Sequence, residues 1–294
     1  MEDRNLTGLL SSIAISLLLL ASSWARAEDL QQPFTYLALG DSLAYGMQVG
    51  KLKEQISKGA VRAENFATGY IDEFSAHLRT RYPNMRVVDL GCPGETTMSF
   101  LEGPCAFAVS GKPFGTTPLP LHSNYQGSQM SAAMAYLADG SQPVDFITLD
   151  IGINDLRAVQ IGCPAGEKYI KCVDAALPAA LQHTATNLKD ILGHIRSASP
   201  KAKILMPTYF NWLAVVDPES DKHVIALNKI IETAAAAAGA KTVDVFAAFN
   251  RNGDERQQLC LLTLFCGATK DLHPSDEGYK VIGDLLAAAL RPPN

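Results

Sequence analysis

Five short apolar runs recur along the chain: Phe34–Leu39, Arg86–Leu90, Asp145–Ile151, Lys203–Tyr209 and Thr242–Phe246. None alternates strictly between polar and apolar positions, as expected for strands buried on both faces. Between them the period lengthens to that of a helix. Tyr70–Arg81 sets Ile71, Phe74 and Leu78 on one face and stops before Pro83. Gln129–Ala138 does the same with Met130, Met134 and Leu137. Ala175–Ser197 carries Leu181, Leu188, Ile191, Leu192 and Ile195 and ends before Pro200. His223–Ala238 stops at Gly239, and Ser275–Leu290 opens on the capping sequence Ser275-Asp276-Glu277-Gly278. Strands alternating with helices predict an α/β fold, with a parallel sheet and right-handed crossovers.

Two stretches break the rhythm. Phe100–Gln126 is rich in Gly, Pro and Ser but holds Phe107, Phe114, Leu119, Leu121 and Tyr125. Asn211–Pro218 carries Trp212, Leu213, Val215 and Val216. Long irregular insertions in a domain are often binding loops. These apolar side chains are therefore candidates for an apolar binding groove. For the first stretch the alternative is a disulfide-pinned surface loop without a ligand role.

The ends of the chain and its composition narrow the picture. Leu9–Ala21 is an apolar run of signal-peptide length, and Ala25-Arg26-Ala27 is a small-residue cleavage sequence. Residues 1–27 are therefore expected to be a signal peptide, or alternatively an uncleaved anchor. Residues 28–294 are expected to be one domain, secreted or periplasmic. No later run is long enough to span a bilayer. With 47% apolar and 19% charged residues the chain can bury a sizeable core. Its net charge of −5 gives no electrostatic case for nucleic acid. The expected partner is a small molecule, and the expected state is monomeric.

All six cysteines follow the signal segment. They fall into neighbouring pairs, and export favours disulfides Cys92–Cys105, Cys163–Cys172 and Cys260–Cys266, although six cysteines allow other connectivities. No C-x2-C spacing suggests a structural zinc.

The first strand ends in Gly40-Asp41-Ser42, at the carboxyl ends of the strands, outside which open α/β folds bind ligands. A serine hydroxyl attacks a carbonyl only if a base removes its proton. His273 is the one histidine in a loop-to-helix turn with an acid beside it. His77, His183 and His194 lie inside helical patterns, His122 lies in the irregular insertion, and His223 at a helix start is a weaker rival. Attack creates an oxyanion that needs preorganised donors. The N–H of Ser42, the N–H of Gly94 after strand two and the amide of Asn154 after strand three are candidates. Asp41, Asp150 and Asp155 read as turn formers or caps. The chain has no G-x-S-x-G elbow and no phosphate-binding glycine loop.

Taken together, Gly40-Asp41-Ser42, Gly94-Glu95-Thr96, Gly152-Ile153-Asn154-Asp155 and His273-Pro274 resemble the four blocks of the SGNH (GDSL) hydrolase family. The match spans Gly40 to Tyr279. The resemblance implies a three-layer, flavodoxin-like fold with strand order 2-1-3-4-5. It also implies ester hydrolysis through an acyl-serine intermediate, with no metal or organic cofactor. The chain departs from the family at one place. The acid usually three residues before the histidine is replaced by Lys270, and the nearest acid is Asp271. Three readings follow: Asp271 orients His273 through a different turn, Asp276 approaches, or a backbone carbonyl takes the imidazole N–H. An esterase or lipase acting on a small-molecule or lipid ester, chiefly acyl or lipid esters, is the leading expectation. A carbohydrate O-acetylesterase with Asn124, Tyr125 and Gln126 lining a polar site is an alternative, as is a non-catalytic binding protein on the same scaffold.

Overall fold

In the computed structural model, which describes residues 34–139, 143–166, 168–251 and 254–291, five strands form one parallel sheet in the order β2-β1-β3-β4-β5. The strands are β1 (Thr35–Gly40), β2 (Arg86–Asp89), β3 (Val144–Asp150), β4 (Lys203–Pro207) and β5 (Lys241–Val243). Leu37 in β1 lies beside Val88 on one side and Ile147 on the other. Every residue of β1 is buried, which is why its sequence is continuously apolar rather than alternating. The expected signal segment and its cleavage sequence lie outside the described residues.

Helices cover the sheet. They are α1 (Val49–Ser57), α2 (Tyr70–Arg79), α3 (Thr97–Glu102), α4 (Ala106–Ser110), α5 (Gln129–Ala138), α6 (Ile153–Gly162), α7 (Tyr169–Ala198), α8 (Asp221–Ala237), α9 (Val245–Asn250), α10 (Glu255–Leu262) and α11 (Asp276–Ala289). Helix α2 packs on α11, while α5 and α8 both pack on α7. The fold is the three-layer α/β arrangement expected. None of the described helices is long and apolar enough to cross a membrane.

Three expected boundaries shift, each for a local reason. The last strand stops at Val243 because the Asp244 side chain accepts the Ala247 N–H and starts α9. Helix α7 begins at Tyr169 and continues through Pro178, with Val173 and Leu177 buried on its inner face. The stretch Phe100–Gln126 is not wholly irregular: it takes in the end of α3 and all of α4. Phe107, Leu119 and Leu121 are buried there with Tyr45, Met47 and Phe66 in a second, smaller core. The disulfide Cys92–Cys105 ties this core to the loop after β2, and disulfides also join Cys163–Cys172 and Cys260–Cys266.

Candidate active site

β1 ends at Gly40, and the next residues are held from beneath. Gly40 has φ +146°, and a Cβ there would sit 2.4 Å from the Asp150 carbonyl oxygen. Only glycine fits. The Asp41 N–H donates to the Asp150 carboxylate at 3.1 Å, and Asp41 in turn accepts the Leu43 N–H at 2.9 Å and the Tyr209 hydroxyl at 2.8 Å. Tyr70 donates to the other oxygen of Asp150. Burial pushes both carboxyls up, and the nearness of Asp41 raises Asp150 further. Asp41 and Asp150 therefore act as buried anchors that fix Ser42 at the strand tip. Neither hydrogen-bonds to Ser42 or His273.

His273 meets Ser42 beyond the carboxyl end of β1. Its Nε2 lies 2.9 Å from Ser42 Oγ, and its Nδ1 lies 2.6 Å from Asp271 Oδ1. The two-residue offset closes because Lys270 takes a left-handed conformation, φ +49°, at the end of a turn in which its N–H donates to Gly267 O. Asp271 then folds back on its own backbone: Oδ1 also accepts the His273 N–H at 3.2 Å, and Oδ2 accepts the Val49 N–H at 2.6 Å. Burial alone pushes the Asp271 carboxyl up. The hydrogen bond and charge of His273, with the two backbone donors, outweigh burial and hold it below its ordinary value. Asp276, the rival acid, accepts from Gln48 at 2.9 Å instead. The described hydrogen bonds of the His273 ring are to side chains, not to a backbone carbonyl. His223, the rival base, bonds Asp174 at 2.7 Å between α7 and α8.

Gly94 and Asn154 come to the same cleft as Ser42 and His273. Gly94 has φ +84°, and a Cβ there would press to 2.7 Å from Pro113 Cδ. No described acceptor takes the N–H of Ser42 or of Gly94. One hydrogen of the Asn154 amide is fixed by the Glu95 carbonyl at 2.9 Å, and the NH2 group carries a second. Glu95 is itself buried, with its carboxylate taking Ser99 Oγ–H and the Gln129 amide, and burial raises its pKa to about 7. Asp155 does not cap its own helix. It reaches across to Thr97 at the start of α3, accepting the N–H at 2.9 Å and the hydroxyl at 2.6 Å.

The cleft measures about 470 Å³. Of the apolar residues expected to line a groove, Phe114 faces this cleft and Trp212 faces a side pocket of about 30 Å³ beside Ser42. Phe107, Leu119 and Leu121 are core, and Val216 points to solvent. Asn124, Tyr125 and Gln126 line neither pocket. Sequence reasoning missed the α6 wall of Arg157, Ala158 and Ile161. Its signal was present in the helical spacing after Asn154, which puts Arg157 and Ala158 one turn on, on the same face.

Residues 38–281 match the model of the GDSL-like Lipase/Acylhydrolase family. No curated protein matches the chain. Among solved structures, a lipase from a goat rumen metagenome is similar at 19% identity and TM-score 0.56, covering 87% of this chain and 97% of its own. A member of the lipolytic G-D-S-L family from Veillonella parvula is similar at 15% identity and TM-score 0.51, covering 87% and 98%. An acetyl xylan esterase variant from Geobacillus stearothermophilus gives 18% and 0.51, covering 88% and 96%. At these identities the structural likeness is one of fold.

Proposed function

The chain belongs to the GDSL-like lipase/acylhydrolase family, and from that premise we propose that this ester hydrolase works through an acyl-serine formed on Ser42. The observation that carries the reading is the unbroken hydrogen-bond chain Asp271–His273–Ser42, opening into a cleft beside Gly94 and Asn154. His273 Nε2 takes the hydroxyl proton as Ser42 Oγ attacks the ester carbonyl. Asp271 keeps the ring proton on Nδ1, so that Nε2 is free to accept. The oxyanion forms against the N–H groups of Ser42 and Gly94 and the Asn154 amide. His273 then gives its proton to the departing alcohol. Water, deprotonated by the same ring, attacks the acyl-serine and releases the acid.

Ser42→Ala is the direct test. Hydrolysis of 4-nitrophenyl esters and labelling by a fluorophosphonate should both vanish while the circular dichroism spectrum stays unchanged. Activity that survives the change sinks the assignment, and failure of the wild type to be labelled would favour a non-catalytic binding protein.

The apolar cleft walls Ala106, Phe114, Ala158, Ile161 and Leu272 favour an acyl or lipid ester. One observation supports a second reading. The side pocket beside Ser42, walled by Tyr209, Phe210, Trp212 and Leu272, has room for little more than a methyl group. That would suit a carbohydrate O-acetylesterase. A series of 4-nitrophenyl esters from acetate to palmitate separates the two: kcat/KM rising with chain length supports the acyl-groove reading, and a maximum at acetate supports the second. Three disulfides among the described residues support an oxidising compartment, in keeping with a secreted or periplasmic protein.

A further inference from the structure

The cleft carries a charge imbalance that ester hydrolysis does not need. Three cationic side chains line it: Lys112 beyond α4, Arg157 on α6 and Lys270 in the turn before Asp271. The one carboxylate among its lining residues is Asp271, whose side chain is fully buried and committed to His273 and the Val49 N–H. The neighbouring acid on α6, Asp155, is turned away onto Thr97. No described hydrogen bond or ion pair ties the side chain of Arg157, Lys112 or Lys270 to another residue. The chain as a whole is acidic, at −5. A cluster of unpaired positive charge in its cleft is thus opposite in sign to the average surface, and apolar walls around it focus the field.

Arg157 is the informative member. It is half-buried, whereas the two lysines are exposed. It follows Asn154 by three residues on α6, so both project from one helix face toward Ser42. It also lines both the main cleft and the side pocket. A guanidinium held partly out of water without a partner presents a planar fork of donors suited to a carboxylate or phosphate.

We propose that the substrate is an ester bearing an anionic group, carboxylate or phosphate, a few atoms from the scissile carbonyl, and that Arg157 recognises that group. This specificity rests on Ser42 being the nucleophile. Lys112 and Lys270 add attraction at the cleft mouth.

Two pairs of esters differing in one charge test the proposal. Monomethyl adipate against dimethyl adipate places the charge on the acyl side. 1-Butyrylglycerol 3-phosphate against monobutyrin places it on the alcohol side. Release of acid is followed in a pH-stat for wild type, Arg157→Gln and Arg157→Lys. In at least one pair the charged ester should be preferred in kcat/KM by about tenfold, the scale of one charge-assisted hydrogen bond. The preference should vanish in Arg157→Gln, persist in part in Arg157→Lys, and shrink between about 20 mM and about 500 mM salt. The pair that shows it identifies which side carries the charge. No preference in either pair, or an equal one in Arg157→Gln, overturns the proposal. If no ester is cleaved and a fluorophosphonate leaves Ser42 unmodified, the failure lies with the nucleophile and the specificity falls with it. Labelling of each variant at the wild-type rate shows that Ser42 and His273 remain assembled.

Discussion

Replacing Asp271 by asparagine tests the least conventional part of the site, and the geometry fixes what should happen. The carboxylate serves three donors: the His273 ring through Nδ1–H, the His273 backbone N–H, and the Val49 N–H. An amide cannot serve all three. With its oxygen toward Val49, its NH2 group faces Nδ1 and draws the ring into the tautomer protonated on Nε2. That tautomer cannot accept the Ser42 proton. With its oxygen toward the ring, its NH2 group opposes the Val49 N–H, donor against donor. The substitution also removes the negative charge that stabilises the imidazolium formed during attack. Opposite charges about 4 Å apart at an effective dielectric of about 20 attract by about 4 kcal/mol. In a rate this is a factor of about 10³. We therefore expect kcat for 4-nitrophenyl butyrate to fall about 10³-fold in Asp271→Asn, with KM little changed, and at least about 10²-fold in Asp271→Ala. Stopped-flow acylation at neutral pH measures the step directly. A loss smaller than tenfold in both variants would show that Asp271 contributes little and that the ring is oriented by something else.

Gly94→Ala should lower kcat by about 10²-fold, because the new Cβ meets Pro113 at a positive φ and displaces the proposed oxyanion donor; wild-type turnover in that variant would remove Gly94 from the oxyanion site. Glu95, with its pKa raised from 4.5 to about 7 by burial, binds its proton more tightly in the folded state. Its contribution to stability is therefore complete below about pH 4.5 and is lost as pH rises toward 7. Between pH 4 and pH 8 the stability difference between Glu95→Gln and wild type should move by about 3 kcal/mol in favour of the variant, read from urea midpoints at each pH. Parallel stability curves for the two proteins would mean that folding does not raise the Glu95 pKa.

What the sequence disclosed and what it hid divide along a physical line. The central strands β1, β3 and β4 were legible because most of their residues are buried, so local composition alone marks them. That Ser42, Gly94, Asn154 and His273 meet in one cleft was legible because each sits where a strand or loop meets a helix. Helix α1 was not. Its N-cap, Gln48, makes no side-chain cap, and the first N–H of the helix, Val49, is capped by Asp271 from the far end of the chain. Helix α3 has a local cap, the Thr96 hydroxyl accepting the Ser99 N–H, but its Thr97 N–H is also satisfied through space, by Asp155. No local pattern can report a cap supplied through space. Both of these long-range caps are carboxylates within two residues of a site residue, Asp271 beside His273 and Asp155 beside Asn154. Folding of α1 and α3 thus positions the chemistry, and the chemistry's neighbours start those helices. That reciprocity explains how the acid can lie two residues before the histidine rather than three. With Lys270 at positive φ, one carboxylate both orients the imidazole and begins α1. Moving the acid one residue back would have to satisfy Val49 as well as the ring. A Lys270→Asp, Asp271→Ala double variant should therefore recover less activity than its sequence resemblance to the family pattern would suggest. Measured against Asp271→Ala alone, a gain beyond about tenfold in kcat would show that the ring does not depend on this turn.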